Sequence, residues 1–186
     1  MTAIKEIRTT TYPISEAILK RWSPRAFATT PVEDDVLYRL FEAARYAPSA
    51  NNFQPWRFIV AKTPEQLEVF HSFLNEGNLI WAKKAPVLAL LISEKNYGMH
   101  GFDAGAAWGF LALQATIEGL ITHPMGGMSR DKAREVLGVP DEFDIQIAIA
   151  IGYQGDATEL PEHLQARETP STRKPLDEIL FEGTFK

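Results

Sequence analysis

The chain has 186 residues and a mass of 20.9 kDa, and 45% of its residues are hydrophobic and 23% charged. These are ordinary globular proportions, which exclude disordered, collagen-like and low-complexity chains. A formal net charge of −5 argues against a dedicated nucleic-acid binder but allows a local basic pocket for one phosphate group. The absence of cysteine excludes disulfides, thiolate zinc sites, iron–sulfur clusters and cysteine nucleophiles, and favours a reducing, cytoplasmic location.

The N-terminal part of the chain predicts two helices. Ser15 is the expected N-cap of a short helix over residues 16–20, which Pro24 ends because the residue before a proline avoids the α region. Residues 30–33 have the pattern of a capping box with proline in the first turn. Apolar residues then recur at helical spacing over residues 36–44, so we expect the second helix to begin at this box.

A strand and a third helix are expected next. Residues 56–60 are rich in aromatic and β-branched side chains and predict a strand. Residues 63–66 repeat the capping-box pattern, and the helix that they open is expected to stop near Gly77.

Two apolar strands and two further helices are predicted in the second half of the chain. Residues 86–92 form a continuous apolar run of strand length, which is typical of a strand in the middle of a sheet. Residues 145–151 predict a second apolar strand, with isoleucine at alternate positions. Residues 103–118 and 129–137 predict helices, and each is followed by a glycine that can end it.

Helices alternating with few strands predict one α+β domain over residues 1–186, with a small central sheet wrapped by helices. The helix at 103–118 is apolar on nearly every face, which indicates burial in protein, and its Gln114, Thr116 and Glu118 argue against a membrane span. The N-terminus also has no stretch of secretory-signal length. The sequence supports two ways of covering this helix about equally, namely a central position in one subunit and a symmetric homodimer.

Common catalytic and metal-binding motifs are missing from the sequence. Neither phosphate-cradling loop, G-x-G-x-x-G or G-x-x-x-x-G-K-[ST], occurs, and neither does G-x-S-x-G or H-E-x-x-H. His71, His100, His123 and His163 show no metal-ligand spacing, so we expect no metal site. We expect His71 at the surface or at an edge of the fold, and His123 in a structural role.

A basic segment after the first helix suits an anionic ligand. Arg21, Ser23 and Arg25 alternate along the chain, so in an extended turn they share one side. Paired guanidinium donors there fit a phosphate or a polarised carbonyl. Taken alone, two arginines are better explained by a solvated basic turn after the helix.

Three other segments carry side chains or backbone suited to binding. Residues 48–56 place amide side chains, which match the donor–acceptor edge of a planar heterocycle, in a proline-bounded loop. Gly126 and Gly127 let backbone N–H groups approach a ligand closely. Arg173 and Lys174 form a basic pair near the C-terminus. Each also has an ordinary explanation as a loop, a turn or a charged tail.

In this order, the segments resemble the FMN-dependent nitroreductase family over residues 14–180. The matching patterns are R-x-S-x-R-x-F at 21–27, A-P-S-x-x-N-x-Q-P-W at 47–56, D-x-G-x-A from Asp103, the glycine pair, and the basic segment at 173–176. The P-S-x-x-N-x-Q-P-W element is the most specific of them.

The resemblance implies an intertwined homodimer with two FMN sites at its interface. Arg21, Trp22, Ser23 and Arg25 match the segment that holds FMN, with Arg25 near flavin N1 and O2, where its charge tunes the flavin. The resemblance also implies that a loop from the second subunit reaches the flavin, and the matching residues are Pro48, Ser49, Ala50, Asn52 and Gln54. A turn that faces the ring matches Pro124, Met125, Gly126 and Gly127. The basic pair on the phosphate matches Arg173 and Lys174. Because Gly126 stands where many relatives carry an acid, contact there must come from the backbone.

The resemblance also implies an NAD(P)H-dependent flavin oxidoreductase. Hydride from NADH or NADPH would pass through FMN to a small acceptor such as a nitroaromatic or a quinone by a ping-pong mechanism, without a catalytic protein residue. One alternative is a non-catalytic flavin storage or sensor protein, and another is a specialised relative such as a reductive dehalogenase or a flavin-consuming enzyme. The third is a helical interaction module without flavin.

Overall fold

The computed structural model describes residue 8 and residues 10–185. Within this part of the chain, seven α-helices and four β-strands follow one another. In chain order they are α1 (Glu16–Lys20), α2 (Asp34–Arg45), β1 (Trp56–Ala61), α3 (Pro64–His71), α4 (Glu76–Ala82), β2 (Val87–Glu94), α5 (His100–Ile117), β3 (Ile121–Met125), α6 (Arg130–Leu137), β4 (Phe143–Gly152) and α7 (Glu162–Gln165).

The four strands form one antiparallel sheet in the order β1-β2-β4-β3. Because successive side chains of a strand point to opposite faces, the apolar run of β2 supplies two cores. Leu88 and Leu90 lie in the core on one face, whereas Ala89 and Leu91 lie in the core on the other. The predicted central position of β2 is confirmed, as is the α+β class with a small sheet among helices. Strand β4 is also central.

Helix α5 lies against the sheet and α2, but it is covered on one side only. Its buried apolar residues are small or medium-sized: Ala104, Ala107, Leu111, Ala112 and Ala115. Phe102, Phe110 and Ile117 on the same helix are exposed. A single copy of the chain therefore does not bury this helix, which decides against a fully covered central helix in one subunit. Within the described residues, no helix is both long and apolar enough to cross a membrane.

The predicted helix start at residues 30–33 is wrong. Helix α2 begins at Asp34, and Glu33 has extended backbone as its N-cap without a side-chain capping bond. Val32 is packed into the core, which holds this segment away from a helical path. Asp34 and Asp35 supply the negative charge that favours a helix N-terminus.

The helix that opens at residues 63–66 has the predicted capping box, but it does not reach Gly77. Helix α3 ends at His71, and Asn75 caps the new helix α4, in which Gly77 lies. The backbone at the break bonds instead to the segment after β3: the N–H of Ser129 donates to the carbonyl of Phe73 at 2.8 Å, and the N–H of Asn75 donates to the carbonyl of Gly127 at 3.2 Å.

Strand β3 was not predicted, and His71, which was expected at the surface or at an edge, is half-buried. Pro124 lies within β3, which is an edge strand, the position where a sheet tolerates proline. The side chain of His71 is only 12% exposed, and its Nδ1 lies 3.3 Å from Glu68. Burial here follows from the packing of α3 on the sheet.

Candidate functional site

The segment after α1 is fixed at one end of the sheet. The backbone N–H of Ala28 donates to the carbonyl of Tyr153 at 2.9 Å, and that of Gly155 donates to the carbonyl of Ala26 at 2.8 Å. A side chain on Gly155 would collide with the backbone of Phe27. Glycine therefore allows the close approach that anchors residues 26–28 beyond the end of β4.

His123 joins this segment to strand β3. Its Nδ1 lies 2.8 Å from the carbonyl oxygen of Pro24, and because a carbonyl only accepts, Nδ1 carries the proton. The ring packs 4.5 Å from that of Trp81. Burial lowers the pKa of His123 to about 4, although the bond to Pro24 opposes the shift. The ring is neutral and structural at neutral pH, in agreement with the expectation.

Glu168 holds the same segment from the C-terminal side. Its Oε1 accepts hydrogen bonds from the backbone N–H groups of Arg25 and Ala26, at 2.7 and 2.8 Å. Its Oε2 is buried without a hydrogen-bond partner among the described residues. No motif includes Glu168, so sequence reasoning missed it.

Three arginines, Arg8, Arg21 and Arg173, lie close together beside Ser23. Nη1 of Arg21 lies 3.3 Å from Oγ of Ser23. Burial and the positive charge of Arg173 lower the pKa of Arg21, and burial, Arg173 and Arg21 lower the pKa of Arg8. No carboxylate forms an ion pair with any of the three in the part of the chain that is described. Like charges held together without an acid create a site for an anion.

Only part of the predicted basic pair belongs to this cluster. Arg173 donates to Oγ of Ser171 at 2.8 Å, and its charge reaches Arg21 and Arg8. Nζ of Lys174 instead pairs with Glu178 at 3.2 Å. Arg8 was missed, because a single basic residue in the N-terminal segment forms no motif.

The guanidinium of Arg25 has no hydrogen-bond partner among the described residues. Burial lowers the pKa of Arg25, as does the charge of Arg167, whereas Glu168 raises it. Trp22, the fourth predicted residue of this segment, is half-buried.

The loop at residues 48–55, here called the amide loop, has unusual backbone geometry. Asn51, Asn52 and Gln54 have φ values of 49°, 58° and 49°, in the left-handed region. Asparagine tolerates this region, whereas glutamine rarely enters it. The backbone N–H of Gln54 donates to Oγ of Ser49 at 3.0 Å, and the side chains of Asn52 and Gln54 are exposed. Such conformations persist where surrounding contacts hold them, often at functional sites.

Asp103, at the start of α5, is the anchor of this loop. Its buried carboxylate accepts from the backbone N–H of Ala50 at 3.0 Å and from the hydroxyl of Tyr97. Burial and this bond raise the pKa of Tyr97 to about 12. The ring of Tyr97 stacks on that of Phe53, with 4.8 Å between the ring centres. Asp103 therefore binds both the loop, through Ala50, and Tyr97, which packs against Phe53 of the same loop. The D-x-G-x-A pattern contained Asp103, but it did not indicate this role.

The predicted turn at residues 124–127 is shorter than expected, because Pro124 and Met125 belong to β3. The carbonyl of Gly127 accepts from the backbone N–H of Asn75 at 3.2 Å and from Nδ2 of Asn78 at 2.9 Å. A Cβ on Gly127 would lie 2.4 Å from Nδ2 of Asn75, whereas one on Gly126 would meet nothing within 4 Å. Gly127 is therefore closely packed against the side chains of Asn75 and Asn78, whereas Gly126 faces open space.

The sheet places the amide loop and the arginines at opposite corners. Trp56, directly after the loop, is level with Asp144 of β4, whereas His123 on the other edge is level with Ala150. Trp56 and His123 are six residues apart along the strand direction, which is about 20 Å. They are also three strand spacings apart across the sheet, which is about 14 Å. Within the described residues, no hydrogen bond or ion pair joins the loop to the arginines. One copy of the chain does not bring these two groups together.

A serine, a histidine and an aspartate do meet inside the fold, although no motif indicates it. Oγ of Ser93 lies 2.8 Å from Nδ1 of His100, whose Nε2 lies 3.6 Å from Asp144. Gln146 also donates to Ser93 at 2.9 Å. Ser93 has no exposed surface, so it cannot attack a substrate. Among the described residues, no group of three or more His, Cys, Asp or Glu could hold a metal ion.

Comparison with known proteins identifies the family. The model of the nitroreductase family matches residues 18–76 and 66–153, which is more than half of the chain. This chain belongs to the nitroreductase family.

Three known proteins are similar to this chain over most of their own length. The crystal structure of an oxidoreductase containing FMN is 44% identical, with 96% of each chain covered and a TM-score of 0.93. The NADH dehydrogenase of Thermus thermophilus is 26% identical over 89% of this chain and 93% of its own. The iodotyrosine deiodinase of Thermotoga neapolitana is 27% identical over 74% of this chain and 86% of its own. The family resemblance of the sequence is thereby confirmed.

Proposed function

We propose that this nitroreductase-family protein is an FMN-dependent oxidoreductase that takes electrons from NADH or NADPH. When bound, FMN supplies the redox chemistry, in two half-reactions that end on a small acceptor such as a nitroaromatic or a quinone. The observation that carries the proposal is the cluster of Arg8, Arg21 and Arg173 next to Ser23, which no carboxylate among the described residues pairs with. The FMN-containing structure that is 44% identical supports it.

The arginine cluster fits the phosphate of FMN. A phosphate monoester carries between one and two negative charges and three acceptor oxygens at neutral pH. Guanidinium groups offer paired donors to such oxygens, and Ser23 adds a hydroxyl. The net charge of −5 of the whole chain does not prevent an anion from binding at this site, because exposed charges more than about 10 Å away are largely screened in solution.

Arg25 is the residue proposed to meet the pyrimidine edge of the flavin. Its backbone is fixed by Glu168, and its guanidinium has no partner among the described residues, so its donors are available. A positive charge at that edge stabilises negative charge in the reduced ring and therefore raises its reduction potential. His123 is neutral and bonded, and Ser93 is buried, so the protein supplies position and charge rather than an acid or base.

We infer that a second copy of the chain completes each site. The amide loop lies at the opposite corner of the sheet from the arginines, and α5 exposes Phe102, Phe110 and Ile117. A symmetric homodimer would cover that face and could bring Asn52 and Gln54 of one copy to the arginines of the other. The amide groups would then meet the polar edge of the ring.

The visible spectrum of the purified protein tests the flavin proposal directly. A flavin absorption band is expected, and anaerobic titration with NADPH and with NADH should bleach it and rank the two donors. Colourless protein that gains no thermal stability from added FMN would contradict the proposal, because a specific ligand stabilises the folded state. Yellow protein that oxidises neither donor would instead indicate flavin storage or sensing.

The proposed role of Arg25 has its own test. Replacing Arg25 with Ala should weaken FMN retention or lower turnover. Arg45→Ala is the control, because Arg45 is an exposed arginine on α2 that pairs with Glu42. Normal flavin content and normal rates in the Arg25 variant would reject the role.

Reductive dehalogenation is a second candidate activity, favoured by the similarity to the Thermotoga neapolitana deiodinase. Under reducing, anaerobic conditions, iodide release from iodotyrosine would support it. Turnover with quinone or nitroaromatic acceptors but no iodide release would leave the first proposal as the activity.

A further inference from the structure

Arg8 is bound in an unusual way for a side chain so near the N-terminus. Its Nη1 donates to the carbonyls of Leu19 and Arg21, at 3.0 and 2.6 Å, and its Nε donates to the carbonyl of Ser171 at 3.1 Å. One guanidinium therefore ties the end of α1 to the C-terminal segment, and Ser171 lies 163 residues after Arg8 in the chain. These contacts fix the backbone of Arg21 and the residue two positions before Arg173.

The same guanidinium carries an unsatisfied donor. Nη2 of Arg8 is buried and has no hydrogen-bond partner among the described residues. A buried charged donor without an acceptor is costly, and so are three like charges held together. Burial and the charges of Arg173 and Arg21 lower the pKa of Arg8, in keeping with this crowding. The arrangement indicates that an acceptor oxygen with negative charge belongs among the three side chains.

We propose that Arg8 is the third cation of a phosphate-monoester site and the residue that positions the other two. This inference rests on the proposed function, in which the monoester is that of FMN. Binding of the phosphate can be measured separately from binding of the flavin ring, because riboflavin has the same ring and ribityl chain but lacks the phosphate. Arg8 discriminates between these two ligands, whereas residues that contact the ring do not.

The affinities of FMN and riboflavin, measured side by side for flavin-free protein, test the inference. Arg8→Gln should raise the Kd of FMN about tenfold or more, since a hydrogen bond to a charged group is lost, and change that of riboflavin less than about twofold. Arg8→Lys keeps the charge but loses the planar fork, so an intermediate change is expected.

Arg134→Gln is the matched control. Arg134 also donates to three backbone carbonyls, those of Val139, Pro140 and Phe143, but it is absent from the arginine cluster. Its replacement should leave the ratio of the two affinities unchanged. Riboflavin binding by the Arg8 variant is a second control, because it requires the folded protein.

Several outcomes would overturn the inference. A variant that loses FMN and riboflavin affinity equally would show that Arg8 is merely structural, and one that loses neither would show that it has no role. If the parent protein bound FMN and riboflavin with equal affinity, the proposed phosphate site would be contradicted, whereas the proposal that the protein binds flavin would stand.

Failure of the flavin proposal itself is distinguishable. If the parent protein binds no flavin, inorganic pyrophosphate serves as the probe, with thermal unfolding as the readout. Stabilisation of the parent protein that Arg8→Gln abolishes would support an anion site in the absence of flavin binding. No stabilisation of the parent protein would overturn the inference.

Discussion

Oε1 of Glu168 lies 2.7 Å from the backbone nitrogen of Arg25, and this bond joins residues 143 positions apart in the chain. A second bond from the same oxygen to Ala26 makes Glu168 a cap for an irregular segment that has no strand or helix to satisfy its N–H groups. The placement of Arg25 at the candidate site therefore depends on a residue near the C-terminus.

Replacement of Glu168 with Ala should lower the free energy of unfolding by about 1–3 kcal/mol, because two backbone donors lose a charged acceptor. Glu168→Gln keeps an acceptor oxygen and should cost less. Urea unfolding of flavin-free protein measures both, with Glu182→Ala, an exposed carboxylate in the C-terminal segment, as the control. An unchanged midpoint for Glu168→Ala would show that the cap contributes nothing.

His123 should make stability depend on pH. Because the pKa of His123 falls to about 4 in the folded protein from 6.5 when unfolded, the unfolded state binds more protons between these values. The stabilisation is fully present above pH 6.5 and is lost as the pH falls to about 4, by up to about 3 kcal/mol. His123→Asn keeps a donor for Pro24 but does not titrate.

Urea unfolding at pH 7, 5.5 and 4.5 measures this effect. The parent protein should lose more stability over the range than His123→Asn does. His163→Asn is the control, because His163 is exposed on α7. Equal losses for the parent protein and the His123 variant would disprove the assignment.

The two glycines after β3 should respond differently to alanine. In Gly127→Ala, the new Cβ would collide with the amides of Asn75 and Asn78, which already cap α4 and bind the turn, so we expect a loss of about 1–3 kcal/mol. Gly126→Ala has open space and should stay within about 0.5 kcal/mol. Thermal unfolding of flavin-free protein compares the pair. If Gly127→Ala lost as little stability as Gly126→Ala, the turn would rearrange around the new Cβ at little cost.

The proposed homodimer predicts a sensitive face on α5. Phe110→Glu places a charge on an exposed apolar side chain and should weaken dimerisation at least about tenfold, since an unpaired charge is costly in an interface. Val136→Glu is the matched control, because Val136 on α6 is 40% exposed, against 41% for Phe110. Analytical ultracentrifugation measures both. A parent protein that is monomeric at all concentrations would refute the dimer.

The sequence alone determined the features that arise from neighbouring residues. The apolar run of β2 predicts a buried strand, the glycines after α5 and α6 predict helix ends, and Thr63 with Gln66 predicts a capping box. These follow from backbone conformation and side-chain periodicity over a few residues. The order of the motifs also indicated the family.

Only the tertiary structure decided which distant residues meet. Arg8 reaches Ser171, Glu168 reaches Arg25, and Asp103 holds the loop at Ala50, and none of these pairs has a spacing that a local pattern could reveal. Pro124 in β3 illustrates the same limit, because a proline is tolerated only once the strand order makes that strand an edge. The pairing order of the strands also sets the arginines and the amide loop at opposite corners, since contacts between distant segments depend on how the whole chain packs.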